Sequence, residues 1–119
     1  MENNEIKIFT TSVNLSEIKQ IAEATFVDFA KGVVDVDKNI LGLGGELHAD
    51  IEAKLLEQGS KQENLWGINL YPEQALPDML EFDSMINIRP RQNNRSRSVE
   101  DLELQKKILD IVTSFVKND

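Results

Sequence analysis

Cysteine is absent from the 119-residue chain, which excludes disulfides, thiolate nucleophiles and zinc–thiolate centres. Histidine, tryptophan and tyrosine occur once each, as His48, Trp66 and Tyr71. A lone imidazole falls short of spaced metal motifs such as H-E-x-x-H, so neither a metal nor a cofactor is expected. No apolar run approaches the roughly 20 residues that span a bilayer, so no membrane association is expected. The N-terminal stretch lacks a basic start followed by a long apolar segment, so it does not read as a secretory signal and a cytoplasmic location is the default. Gly44-Gly45 fits neither the dinucleotide nor the P-loop pattern, and Ser60 and Ser84 lack the G-x-S-x-G context of a serine nucleophile.

Arginine is missing from the first 88 residues, which carry six lysines and 16 acids and a charge of −10. All four arginines, Arg89, Arg91, Arg95 and Arg97, fall within nine positions, and the last 31 residues carry +2. The total of −8 argues against a general affinity for nucleic acid or anionic membrane. With 40% hydrophobic and 29% charged residues, the chain has the composition of a folded protein. Its length suits one domain, residues 1–119, with one real core.

Alternation of Ile6 and Ile8 with charged neighbours predicts a strand over 5–9. Asn14 and Glu17 have the spacing of a capping box, and Ile18, Ile21, Ala22, Phe26 and Phe29 form an apolar stripe, predicting a helix over 15–29. Val33, Val34 and Val36, the turn residues 37–39 and the apolar run from Ile40 predict a hairpin with arms 32–37 and 40–48. Residues 46–56 fit both periods. Helix propensity favours a helix starting near Asp50 and stopped by Gly59. Strands over 65–71 and 80–88, each ended by proline, precede a helix over 99–117, with Ser98 and Asp101 at its start. The order β-α-β-β-α-β-β-α begins as a split βαβ motif. It predicts an α+β domain, a ferredoxin-like variant whose antiparallel or mixed sheet of about five strands has three helices mainly on one face.

Two clusters stand out chemically. Read as strand residues, Glu46, His48 and Asp50 share one face beside the paired glycines, where a carboxylate orients His48 as a general base. The structural alternative has Asp50 capping a helix and His48 filling a polar gap. The second cluster is the loop from Arg89 to Ser98, with Arg89, Arg91, Asn94 and Arg95 as contacts for an anion at the start of the last helix. Its alternative has the arginines pairing with the protein's own acids, within one chain or across a homodimer, and Arg89 meeting Glu46, Glu81 or Asp83. Trp66 and Asn69 are added as ligand contacts, against core packing for Trp66 and a backbone partner for Asn69 and Asn87.

Three stretches, Leu43 to Asp50, Gly59 to Gly67, and Ile86 to Pro90 with Asn94-Arg95-Ser96, together resemble an uncharacterised family of small bacterial proteins. The resemblance covers residues 15–116 and implies no activity or cofactor. One departure is visible: a small residue, often glycine, is expected where Asn93 and Asn94 stand, and asparagine also tolerates left-handed turn geometry. The sequence supports two readings. One is a non-catalytic binding or interaction module that recognises a small anionic ligand or a protein partner through the arginine loop. The other is a small enzyme in which His48, assisted by Glu46 or Asp50, moves a proton while an arginine holds an anionic substrate.

Overall fold

The computed structural model describes residues 5–119. Strand β1 (Ile6–Phe9), the short β2 (Val13–Asn14) and helix α1 (Leu15–Ala24) come first. The hairpin β3 (Ala30–Asp35) and β4 (Ile40–Gly44), helix α2 (His48–Glu57) and strand β5 (Leu65–Leu70) follow. The chain closes with β6 (Leu80–Glu81), α3 (Leu102–Phe115) and β7 (Val116–Lys117). Five strands form one antiparallel sheet in the order β1-β4-β3-β5-β6. β4 sits between β1 and β3, which preserves the split βαβ arrangement, and β5 adds beside β3.

The sheet separates two apolar clusters. On one face α1 and α3 pack Ile18, Ile21, Ile108, Val112 and Phe115 against Val34, Leu41, Leu43, Trp66, Ile68 and Leu70. On the other, α2 sets Ile51 and Leu55 against Val33 and Leu65, with Ile6 and Ile8 alongside. Gly42 makes that approach feasible, since a Cβ there would lie 2.6 Å from the Ile51 side chain. The sequence predicts helices mainly on one face; α1 and α3 do share a face, but α2 covers the reverse, where Ile51 and Leu55 have their own apolar cluster.

Several boundaries differ from the sequence expectation for identifiable reasons. α1 ends at Ala24, not 29, because Val27 takes a left-handed φ of 75° and returns its N–H to the Ala22 carbonyl. Phe26 and Phe29 then stack on each other, and Phe29 meets Tyr71 in a tilted contact, instead of extending the stripe. β4 stops at Gly44, where φ is 116°, and a Cβ would meet the Glu5 carbonyl at 2.4 Å. The glycine pair thus serves a turn against β1, and α2 begins at His48, before Asp50. The expected strand 80–88 shortens to two residues, and 85–87 form a 3-10 turn.

Asn14 stands at the expected N-cap of α1, but its side chain makes no capping hydrogen bond. The cap comes from Asp119, whose carboxylate accepts from the Ser16 N–H at 3.0 Å and from the Ser16 hydroxyl. The parallel pairing of β2 with β7, Val13 opposite Val116, brings that carboxylate to the helix end. Glu17 pairs instead with Lys7 at 3.1 Å. The turn of the β3–β4 hairpin forms where expected. Buried Asp35 accepts from the N–H groups of Asp37 and Lys38, both at 2.9 Å, and from the Ser60 hydroxyl at 2.6 Å.

At Gly67, in the middle of β5, a Cβ would lie 2.4 Å from Cβ and 2.6 Å from Oγ of buried Ser84. Gly67→Ala is expected to cost about 1–3 kcal/mol by overpacking. Urea denaturation monitored by Trp66 fluorescence measures it as a lowered midpoint with an unchanged slope.

Candidate functional site

Beyond Glu81 the chain leaves the sheet, and β5 would lose its outer neighbour. Asn87 fills that position with its side chain. Its Oδ1 accepts from the Gly67 N–H at 2.8 Å, and its Nδ2 donates to the Gly67 carbonyl at 3.0 Å and the Arg97 carbonyl at 2.9 Å. One buried amide imitates a strand and ties both ends of the arginine segment to the sheet. Ser84 closes the same junction by donating its N–H to the Arg97 carbonyl at 3.0 Å.

A second buried amide organises the loop itself. Asn94 Nδ2 donates to the carbonyls of Asn87 at 2.7 Å, Ser98 at 2.7 Å and Ser96 at 3.2 Å, and its Oδ1 accepts from the Glu100 N–H at 2.8 Å. Its backbone exchanges two hydrogen bonds with Arg89, at 2.7 and 3.1 Å. Asn93 takes the left-handed φ of 60° in this loop, which asparagine tolerates. Asn94, read from the sequence as a ligand contact, spends its side chain on these internal hydrogen bonds and braces the loop.

The four arginines fare differently. Arg89 lies over the Trp66 ring, 4.1 Å from its centroid, and donates to the carbonyls of Gln62 and Leu65. It meets none of Glu46, Glu81 and Asp83. Burial pushes its pKa down, and nearby Glu52 offsets part of that, but a guanidinium stays charged. Trp66 is buried in the larger core beneath it. Arg97 pairs with Asp83 at 2.6 Å. The side chains of Arg91 and Arg95 are exposed, with no hydrogen bond or ion pair to a described residue. The expected anion position at the start of α3 is filled by the chain's own acids. Asp101 accepts from the N–H groups of Glu103 at 3.0 Å and Leu104 at 3.4 Å, and Glu100 accepts from the Arg95 N–H at 3.1 Å.

His48 sits elsewhere, as the first residue of α2. Its Nε2 lies 2.9 Å from the Ile68 carbonyl and 3.1 Å from Asn69 Oδ1. A carbonyl only accepts, so Nε2 carries the proton and Nδ1 the lone pair. Asn69 Nδ2 continues the chain to Glu81 at 2.8 Å and to the Asp83 carbonyl at 3.3 Å, and the Tyr71 hydroxyl donates to the same Glu81 oxygen at 3.2 Å. Desolvation holds the His48 pKa below its ordinary 6.5; the Ile68 carbonyl opposes that shift and the charge of Lys31 adds to it. Burial raises the Tyr71 pKa, and the charge of Glu81 raises it further.

The expected alignment of Glu46, His48 and Asp50 does not form. Glu46 precedes the helix and Asp50 lies two residues into it, which places the three side chains in different directions. Both carboxylates are exposed and neither bonds the imidazole. Of the arginines only Arg97 approaches this cluster, through Asp83. Asn69 is brought to His48, as its internal hydrogen-bond partner. The partners that sequence reading missed, Glu81 and Tyr71, follow from strand register: Asn69 faces Lys31 on β3 and Glu81 on β6. No group of three or more His, Asp or Glu side chains suited to a metal occurs among the described residues.

The fold and this geometry define a small α+β protein with a braced, arginine-bearing loop and a separate polar network around one neutral histidine. The chain belongs to a family described as "Protein of unknown function (DUF5674)", which matches residues 7–115. No curated protein and no solved structure matches the chain.

Two measurements follow. The unfolded imidazole binds a proton near pH 6.5 and the folded one resists it, so the contribution of His48 is complete above that pH and falls as the pH drops below it. Thermal melts between pH 7.5 and 5 should show a steeper loss in the native protein than in His48→Gln, which keeps a neutral donor. Arg89→Ala is expected to lower stability by about 1–3 kcal/mol, since it takes the donor from the carbonyl of buried Leu65 and uncovers the Trp66 ring. Arg95→Ala should stay within about 0.5 kcal/mol of the native protein in the same denaturation experiment.

Proposed function

We propose that this protein is a non-catalytic interaction module that presents the loop 89–97 to an anionic partner. The observation that carries this reading is the contrast within one loop. Its backbone is pinned by two buried asparagine side chains, while the side chains of Arg91 and Arg95 are exposed and make no hydrogen bond or ion pair among the described residues, with Glu100 near enough to Arg95 to feel its charge. Fixing the backbone in advance lowers the ordering entropy that binding would otherwise cost. A guanidinium offers a planar set of donors matched to carboxylate or phosphate oxygens. The acidic remainder of the protein disfavours long polyanions such as nucleic acid.

The arrangement around His48 supports the same reading. Its protonated nitrogen is taken by a carbonyl and an amide, no carboxylate bonds it among the described residues, and Arg91 and Arg95 lie outside the network. The polar chain from His48 to Glu81 then acts as a fastening between α2, β5 and β6.

Fluorescence anisotropy with a labelled glutamate-rich peptide and its phosphoserine counterpart tests the proposal. Binding by the native protein should weaken about tenfold or more in Arg91→Ala/Arg95→Ala, the loss expected for one or two charge-assisted hydrogen bonds. Lys54→Ala, which removes an exposed charge from α2, should leave it unchanged. Equal weakening by both variants, or no binding to either peptide, would refute the role of the loop.

A further inference from the structure

The outer edge of the sheet carries a second surface, independent of the arginine loop. β6 pairs with β5 through Asn69↔Glu81 and Leu70↔Leu80, and no strand flanks its other side among the described residues. The Leu80 N–H turns back to the Pro77 carbonyl at 3.0 Å. Neither the N–H nor the carbonyl of the next residue but one, Phe82, has a partner among the described residues. An edge in this state is a template for an added strand.

Directly beside it opens a cavity of ≈ 290 Å³, walled by Leu80 and Phe82 from the edge and by Leu102, Lys106 and Leu109 from α3. Leu102 is 76% exposed, an unusual state for a leucine placed next to four other apolar lining residues. The volume lies at or below the lower end of small-molecule sites, which run from roughly 300 Å³ upward, and suits a single large side chain better than a whole ligand. On a protein of charge −8 the lining includes a cation, Lys106, and no acid.

We infer that the β6 edge is a docking site for an extended peptide segment of a partner protein, which adds as a strand along Leu80–Phe82 and inserts one large apolar side chain into the cavity. Side chains two positions apart on a strand project to the same face. An acidic residue two positions from the apolar anchor would therefore meet Lys106. Main-chain hydrogen bonds to Phe82 hold the segment, and the cavity and lysine select its sequence.

Selection of a random phage-displayed peptide library on the intact protein, with the winning peptide remade and measured by anisotropy, tests this. The expected winner carries a Leu, Ile or Phe anchor with Glu or Asp two residues away. Leu102→Glu, an exposed substitution that leaves the core intact, should weaken it at least tenfold. N-methylation of the peptide backbone beside the anchor should do the same. Lys106→Glu should reject the peptide and accept the version in which its acid is replaced by lysine. A library that yields no such pattern, or a peptide indifferent to Leu102→Glu, overturns the proposal. Indifference to N-methylation also overturns it, by showing that the cavity binds apolar groups without strand addition. Sedimentation of the native protein as a dimer that Leu102→Glu dissociates would overturn it in favour of a second copy of the chain.

Discussion

The arrangement of the second half of this protein depends on how the buried backbone of Gly67 finds hydrogen-bond partners. β5 is buried along its whole length, and a peptide group left unpaired there would cost free energy comparable to a lost hydrogen bond. β6 reaches only as far as Asn69 and Leu70, so the sheet cannot supply those partners by ordinary strand pairing. The carboxamide of Asn87 presents one acceptor and one donor at the spacing of a peptide, and Gly67 has no side chain to obstruct it. A Cβ at Gly67 would also collide with Ser84, so the glycine and the asparagine are two halves of one contact.

From that contact the arginine loop takes its position. Asn87 also holds the Arg97 carbonyl, and Asn94 holds the Asn87 carbonyl, so two amides in series fix the segment from Ser84 to Glu100. Arg89 adds a third brace by covering Trp66 and reaching back to Leu65. Polar residues that look available for ligands are in this way consumed by the fold: Asn94, Asn69 and Arg89 internally, Arg97 by Asp83. What remains in the loop without a side-chain partner among the described residues is Arg91 and Arg95, carried by a backbone that has little left to reorganise.

The same logic separates the two polar centres. His48 is fixed at the start of α2 by the Ile68 carbonyl and Asn69, on the face of the sheet that α2 covers. Alternation along residues 46–50 suggests a shared face for Glu46, His48 and Asp50, but that alternation is only meaningful if the strand continues. Gly44 and Gly45, both at positive φ, turn the chain before it can. The helical period then governs, and the carboxylates are carried away from the imidazole.

The sequence by itself determined the elements whose signals are local. The turn at 37–39, the largely apolar run of β5, the stop at Gly59 and the stripe of α3 follow from residue type and spacing, because backbone preference and side-chain period act over one or two turns of chain. The α+β class and the isolation of all arginines in one loop follow equally. Only the tertiary structure decided which partners the polar residues take. Asp119 caps α1 from the far end of the chain, Asn87 completes β5, and Asn69 joins His48 to Glu81. These contacts depend on strand order and on where two distant segments meet, and a hydrogen bond between residues far apart in the chain leaves no periodic trace in either segment.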